Sequence, residues 1–250
     1  MSGHSKWAGI KHKKAVVDAK RGQTFTRVAR ELAMAAREGG ADLVGNFRLR
    51  LAVQKAREVN MPADKIQAAI ARGTGAGKAD ALEELRYEGY GPAGVAVIVD
   101  AVTDNRNRTA PAIRHLFAKH GGNLGDTNSV AWMFERKGVI ELATGTEPDA
   151  AGLAAIEAGA DDIRVDSDVI EITCDPAALE AVRAALEAAG AGIESAGITM
   201  QPKQTVAVDE ERAAAVLRLL EALEDDDDVQ QVYANFDIAA DVLERISTSV

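Results

Sequence analysis

The residues best suited to chemistry lie within the first 30 positions of the chain. Cations, two histidines and a tryptophan are concentrated there, and they are His4, Lys6, Trp7, Lys11, His12, Lys13, Lys14, Lys20 and Arg21. Lysine and arginine side chains pair with phosphate oxygens, and an indole ring can stack on a nucleobase. Trp7 could equally cover a neighbouring helix, and the sequence does not choose between these two roles. The composition of this stretch predicts contact with a polyanion.

The charge of the chain is divided unevenly between this front part and the remainder. Residues 1–78 hold 16 lysines and arginines against 6 aspartates and glutamates, a net charge of +10. The remainder holds 13 against 33, a net charge of −20, and the whole chain carries −10. A cationic module on an acidic body is typical of a protein whose front contacts nucleic acid.

A second basic group lies in the run Thr103–Thr109, which contains Arg106 and Arg108. It falls at a predicted strand-to-helix junction, where backbone N–H groups also face outward. Two arginines at a helix start oppose the helix dipole, which favours contact with phosphate over a structural role. Asp104 could instead neutralise one of the arginines, so phosphate contact and local salt bridging both stay open.

Sequence motifs for catalysis, metal binding or cofactor binding all fail at a required position. The glycine-rich run 72–79 lacks the spacing of a phosphate-binding loop, and Ile193 occupies a glycine position of the nucleophile-elbow pattern. The four histidines are not at metal-ligand spacing with cysteines. The acidic run 224–228 lacks EF-hand spacing and is interpreted as a solvated loop. We therefore expect a non-enzyme with no metal, no cofactor and no small-molecule substrate.

The composition indicates a reducing compartment and no membrane segment. Cys174 is the only cysteine, so no internal disulfide can form, and its alternating surroundings predict a buried thiol in a strand. No apolar run reaches the roughly 18 residues of a membrane helix, and the basic N-terminus lacks the apolar core of a secretory signal. We expect a cytoplasmic protein. The sequence leaves the oligomeric state open, with a monomer favoured.

The basic front is expected to sit on a small helical domain. Residues 1–22 are interpreted as a basic arm that could contain a short helix ended by Gly22. Thr24 is the expected N-cap of a helix over 25–38, with Arg27 and Arg30 outward or at the border of its apolar face. Two further helices are predicted over 46–59 and 62–72, followed by a flexible linker. These elements would place a basic surface beside the arm.

Short strands and amphipathic helices are predicted after residue 80. Residues 138–202 form a complete β-α-β-β-α-β unit, and the elements on its two sides can complete each other. We therefore expect an α+β protein with an N-terminal helical domain and two ferredoxin-like α/β sandwiches, one inserted in the other. The predicted domains are 1–78, 79–137 with 203–250, and the inserted 138–202. A serial arrangement has the same order of elements.

One further strand is predicted over 129–134, where the residues alternate between apolar and other types. Val130, Trp132 and Phe134 would then lie on one side of this strand.

Motifs over nearly the whole chain resemble those of the YebC/PmpR family. The opening residues 3–14 carry the most specific of them, Gly-His-Ser-Lys-Trp-Ala-Gly-Ile-Lys-His-Lys-Lys. The others lie at 18–22, Phe25–Arg37, 60–62, 87–92, 103–108, 121–124 and 227–236. The resemblance implies three domains, an N-terminal helical one and two α+β ones. It also implies a nucleic-acid role without known catalysis.

The resemblance leaves two kinds of nucleic-acid target open. Family members have been labelled DNA-binding transcriptional regulators, whereas relatives that include a mitochondrial translational activator of cytochrome oxidase look like ribosome-associated factors that relieve stalling. We favour RNA, because an acidic body is repelled by an extended duplex while a folded RNA can accept a basic finger in a pocket. The alternatives are a regulator that binds promoter DNA and, in another class, a protein–protein adaptor whose acidic body docks a basic partner.

Overall fold

The computed structural model describes residues 19–75, 82–143, 145–166 and 169–249. Seven of the predicted nucleic-acid contacts fall outside these ranges, and they are His4, Lys6, Trp7, Lys11, His12, Lys13 and Lys14. Lys20 and Arg21 lie in the first described helix, but their side chains are not among those described. The structure therefore places the elements that follow the basic arm.

Three helices form the N-terminal domain: α1 (Ala19–Gly39), α2 (Phe47–Glu58) and α3 (Ala63–Gly73). Their apolar faces share one core that includes Leu32, Leu49 and Ile66. The Asn46 side chain joins α1 to α2, because its Oδ1 accepts the Leu49 N–H at 3.0 Å and its Nδ2 donates to the Ala35 carbonyl at 2.7 Å. This polar link closes the end of one helix and caps the start of the next.

The helix α1 differs from its predicted form at the N-terminal end. Gly22 and Thr24 both lie inside α1, so neither the predicted helix end at Gly22 nor the predicted N-cap at Thr24 is correct. The hydroxyl of Thr26 donates to the Gly22 carbonyl oxygen at 3.0 Å, one helical turn back. A glycine inside a helix costs only about 1 kcal/mol, which the packing of a long apolar face easily outweighs.

A four-stranded antiparallel sheet combines segments that are distant in sequence. It contains β1 (Glu83–Tyr90), β2 (Ala96–Thr103), β3 (Asn123–Leu124) and β9 (Val229–Ala234), in the order β3-β1-β2-β9. Helices α4 (Arg106–Lys119) and α7 (Glu210–Glu224) contribute their apolar side chains to the same core as this sheet. Strands β1 and β2 form a hairpin, since the connection between them is too short for a crossover.

A second four-stranded sheet is built from one continuous stretch of chain. Its elements are β4 (Phe134–Leu142), α5 (Pro148–Glu157), β5 (Ala160–Asp166), β6 (Val169–Cys174), α6 (Leu179–Ala188) and β7 (Ile193–Pro202). The strand order is β5-β6-β4-β7 with every pair antiparallel, as a ferredoxin-like β-α-β-β-α-β unit requires. Cys174 is fully buried, as predicted, and burial raises the pKa of its thiol.

The remaining elements lie near the C-terminal end. Strands β8 (Val206–Ala207) and β10 (Phe236–Asp237) form a two-stranded parallel sheet, and α8 (Ala240–Ser249) follows. The α+β class, with a helical N-terminal part and antiparallel sheets after it, is confirmed. The first sheet has a strand order of its own that differs from that of the β4–β7 unit, and the domain boundaries stay a prediction.

The predicted strand over 129–134 is wrong. A single 3₁₀ turn covers Ala131–Met133, with Val130 and Phe134 buried and Trp132 64% exposed. The buried carboxylate of Glu88 explains the difference, because it binds backbone N–H groups that a strand would offer to a neighbouring strand. Among the described residues, no helix is long and apolar enough to cross a membrane.

Candidate nucleic-acid interface

Two predicted contact residues of α1 face the C-terminal end of α7. Arg27 donates to the carbonyl oxygens of Glu224 and Asp226, and Arg30 donates to that of Asp227. The last carbonyls of a helix carry partial negative charge and need donors, so guanidinium groups are suitable partners. Arg27 and Arg30 therefore join the helical domain to the acidic body, and their contact with nucleic acid stays a prediction.

Asp228 is the centre of this junction and is only 5% exposed. Its carboxylate accepts hydrogen bonds from the hydroxyl groups of Thr109 at 2.7 Å and Thr103 at 3.1 Å. Arg108 binds it at 2.8 and 3.1 Å, and Arg30 lies at 3.0 Å. Four side chains from three elements thus converge on one buried carboxylate.

The surroundings of Asp228 lower its pKa below the ordinary aspartate value. Burial by itself raises the pKa, but the hydrogen bonds from Arg108, Thr109 and Thr103 and the charge of Arg30 outweigh it. The carboxylate is therefore ionised at neutral pH, and its negative charge is matched by two guanidinium groups.

The two arginines at the start of α4 have different surroundings. Arg108 also binds the Asp104 carboxylate at 3.0 Å, so the salt-bridging interpretation of this residue is the one that the structure shows. Arg106 is exposed in the first turn of the helix. Both side chains are exposed, and contact of either one with a phosphate stays a prediction.

Other cations of the helical domain also contact the protein itself. Arg37 donates to the Leu82 carbonyl at 2.6 Å, and Arg48 pairs with Glu38 and Glu84. Lys55 pairs with Glu31 at 2.9 Å. Since Leu82 directly precedes β1 and Glu84 lies in it, Arg37 and Arg48 join the helical domain to the first sheet, as Arg30 does through Asp228.

The acidic run 224–228 is more than the solvated loop predicted from its composition. Asp228 is buried, Glu224 and Asp226 are half-buried, and the Asp226 carboxylate accepts the Asp228 N–H at 2.9 Å. The run forms the docking surface for α1. Within the described ranges, no group of three or more His, Cys, Asp or Glu side chains is arranged to hold a metal ion.

Exposed cations remain on two helices of the helical domain, α2 and α3. Arg57 of α2 and both Lys65 and Arg72 of α3 are exposed. The Lys65 ammonium lies 5.6 Å from the ring centroid of Phe25 in α1. Among the described residues of α2 and α3, these cations are therefore accessible to a polyanion.

An exposed aromatic site escaped the sequence analysis. The Trp132 indole N–H donates to the Ser129 carbonyl at 3.1 Å, and the Tyr90 hydroxyl reaches the same oxygen at 3.3 Å. The Lys203 ammonium donates to the Trp132 carbonyl at 3.1 Å. An aromatic residue in an alternating stretch is normally buried, so the sequence carried no signal that this ring faces solvent.

Two family models together match most of the chain. The one described as the TACO1/YebC protein N-terminal domain matches residues 5–76, and the one described as the TACO1/YebC second and third domain matches residues 82–236. The first match covers the helical domain and the second covers both sheets.

Known proteins show the same relationship over the full length. A "probable transcriptional regulatory protein" of Natranaerobius thermophilus is 53% identical over 248 residues, covering 98% of this chain and 99% of that protein. One of Pseudomonas fluorescens is 55% identical over 247 residues, covering 98% and 100%. The crystal structure of a conserved hypothetical protein from Aquifex aeolicus is 47% identical with a TM-score of 0.82, covering 90% of this chain and 93% of that one. The chain therefore belongs to the TACO1/YebC family, whose curated members carry the name of probable transcriptional regulators.

Proposed function

We propose that this protein is a non-enzymatic regulator of gene expression in the cytoplasm that binds folded RNA of the ribosome through its basic segment 1–22. One observation carries the proposal. The described arginines of the helical domain largely contact the protein's own acidic body, as Arg30 does with Asp228 and Arg48 with Glu84. The proposal therefore assigns the contact with RNA to residues 1–22, which hold six lysines and arginines against one acidic residue.

The geometry of the helical domain supports RNA over an extended DNA duplex. A helix that reads DNA bases needs a row of free polar and basic side chains along one exposed face. On α2, however, Arg48 and Lys55 pair with acidic residues of the protein itself. The net charge of −20 beyond residue 78 also repels a rod of phosphates, whereas a short basic segment can enter a folded RNA while the body stays outside.

Within this proposal, the protein acts as a translation factor that relieves stalled ribosomes. Its relatives are named probable transcriptional regulatory proteins, which favours a second candidate, a regulator that binds promoter DNA. Binding to purified ribosomes and to promoter duplexes at the same physiological salt concentration separates the two, because electrostatic affinity is strongly salt-dependent. Tight binding to a defined promoter without ribosome association would remove the RNA proposal. A ribosome-free protein complex that survives nuclease and deletion of residues 1–22 would point to an adaptor.

Replacing Lys11, Lys13 and Lys14 together with glutamine is expected to weaken ribosome binding about ten- to a hundred-fold at physiological salt. Each lysine that neutralises a phosphate releases a counterion, so the slope of log affinity against log salt should fall by up to about three units. Filter binding or sedimentation over a salt series measures both quantities.

The matched control for this variant replaces Arg57, Lys65 and Arg72 with glutamine, which removes the same charge from exposed positions on α2 and α3. We expect a smaller loss of affinity from the control than from the segment variant. An unchanged salt slope in the Lys11, Lys13 and Lys14 variant would show that the basic segment is not the contact surface.

A further inference from the structure

Trp132 presents a large aromatic ring to solvent at the junction of the two sheets. It is 64% exposed, and Tyr90 beside it is 37% exposed. Trp132 belongs to the 3₁₀ turn that leads directly into β4, while Tyr90 ends β1 of the first sheet. Aromatic side chains normally bury most of their surface, so a ring left this open indicates a binding surface.

Trp132 is held in place through both its side chain and its backbone. The indole N–H and the Tyr90 hydroxyl both donate to the Ser129 carbonyl oxygen, which keeps the two aromatic side chains close together. On the backbone side, the Trp132 carbonyl accepts from the Lys203 ammonium at 3.1 Å, and the backbone N–H of Lys203 donates to the carbonyl of Met133. A side chain fixed in this way loses little conformational freedom when a partner binds.

The turn that carries Trp132 is itself anchored in the protein interior. The Glu88 side chain is 3% exposed, and its carboxylate accepts the N–H groups of Asn128 at 2.9 Å, Val130 at 2.9 Å and Ala131 at 2.7 Å. The buried side chains of Val130 and Phe134 hold the turn on either side of the exposed ring. The exposure of Trp132 is thus built into the fold and is not the result of a loose loop.

We infer that Trp132, with Tyr90 and Lys203, forms a stacking platform for an unpaired nucleobase of RNA. A flat aromatic ring offers a partner surface to any base, and the Lys203 ammonium places a positive charge beside it for the attached phosphate. The inference rests on the proposed RNA binding but concerns a site that is remote in sequence from residues 1–22. It adds a second point of contact, which would increase affinity through multivalency.

The surroundings of the ring favour a nucleobase over an apolar segment of a protein. Residues 126–128, which precede the turn, are Asp, Thr and Asn, and all three are exposed. A protein partner would need a contiguous apolar patch. Of the other exposed large apolar side chains, Val165 lies on β5, at the opposite edge of the sheet from β7, and Leu153 and Ile156 lie on α5. A single ring with a polar border and one neighbouring ammonium, that of Lys203, matches a planar base with its attached phosphate better than an apolar protein segment.

The test uses full-length chains in which Trp7 is replaced by phenylalanine, so that Trp132 is the only tryptophan. A dye-labelled, unstructured eight-nucleotide RNA is titrated, and the affinity is measured by fluorescence anisotropy and the state of Trp132 by its intrinsic fluorescence. We expect quenching of Trp132 on binding and about ten-fold weaker binding for Trp132→Ala, the size of one lost stacking contact. Thermal unfolding should change little, because the ring is exposed.

Two further variants separate stacking from other effects. Trp132→Phe loses the same hydrogen bond to Ser129 but keeps a ring, so its affinity should stay within about three-fold of the parent. Leu153→Ala truncates another exposed apolar side chain, on α5, and should bind as the parent does.

Each contrary result has a distinct meaning. If Trp132→Ala binds RNA as tightly as the Trp7→Phe parent, and the fluorescence of Trp132 in that parent is not quenched, the platform is overturned while RNA binding stands. The same conclusion follows if Trp132→Phe loses as much affinity as Trp132→Ala. If neither the parent nor the natural chain binds the oligonucleotide or the ribosome, the platform and the proposed function fall together. If Trp132→Ala loses a purified protein partner and keeps its RNA affinity, the surface is a protein-docking site instead.

Discussion

Replacing Asp228 with alanine is expected to lower the free energy of unfolding by about 3 kcal/mol. The change leaves the buried hydroxyl groups of Thr103 and Thr109 without their acceptor, and it removes the carboxylate that Arg30 and Arg108 share. Removing one partner from a buried charged network costs more than the network contributes as a whole. Urea denaturation followed by circular dichroism measures the loss.

The matched control is Asp225→Ala in the same acidic run. Asp225 is exposed, and its backbone carbonyl accepts a hydrogen bond from the Gln23 side chain, a contact that alanine retains. We expect its unfolding free energy to stay within about 0.5 kcal/mol of the natural chain. Equal losses from the two variants would mean that Asp228 does not organise the junction.

The contribution of Asp228 should also depend on pH. Its pKa is lower in the folded state than in the unfolded chain, so the folded protein binds fewer protons and the stabilisation is fully present above the ordinary aspartate pKa. It is lost as the pH falls below about 4 and through the folded pKa. The stability difference between the natural chain and Asp228→Asn should therefore narrow on acidification. A constant difference across that range would contradict the assigned charge state.

Replacing Glu88 with alanine is expected to lower the free energy of unfolding by about 3 kcal/mol. The carboxylate is the acceptor for three backbone N–H groups of residues 128–131, and alanine leaves them without a partner near the buried core. In a chain with Trp7→Phe, the fluorescence anisotropy of Trp132 should also fall, because the turn that carries the ring is released. Denaturation and time-resolved anisotropy give the two readouts.

Glu83→Ala is the control for Glu88→Ala, since Glu83 is an exposed glutamate on the same strand. It should leave both the stability and the anisotropy of Trp132 nearly unchanged. A Glu88→Ala chain that loses stability but keeps the anisotropy of Trp132 would mean that the turn is held mainly by its buried apolar side chains Val130 and Phe134.

The junction around Asp228 changes the interpretation of the uneven charge distribution. The positive front and the negative body partly neutralise each other, because Arg30 meets Asp228 and Arg48 meets Glu84 across the domain boundary. Opposite net charges on two parts of one chain therefore reflect an internal interface, in addition to the external partner that we propose. The proposed contact with RNA consequently depends on the segment 1–22, whose cations outnumber its acids six to one.

Local patterns in the sequence were sufficient for several features. The apolar spacing of the three N-terminal helices, the β-α-β-β-α-β order of residues 138–202 and the buried Cys174 were all predicted and are present in the structure. These features follow from periodicity over short stretches, which each segment carries within itself. Family membership was equally accessible, because the motifs of the opening segment are specific and the resemblance is confirmed.

The sequence by itself determined the class of fold, the family and the presence of a strongly basic front. Only the tertiary structure decided which of the described cations pair within the protein. Arg108 binds Asp228 from 120 positions away, and Arg30 binds the same carboxylate from an even more distant position in the sequence. It also decided that Trp132 faces solvent, because that depends on where Glu88 holds the turn. Charge pairing and burial follow distances in space, and the spacing of residues along the chain does not contain those distances.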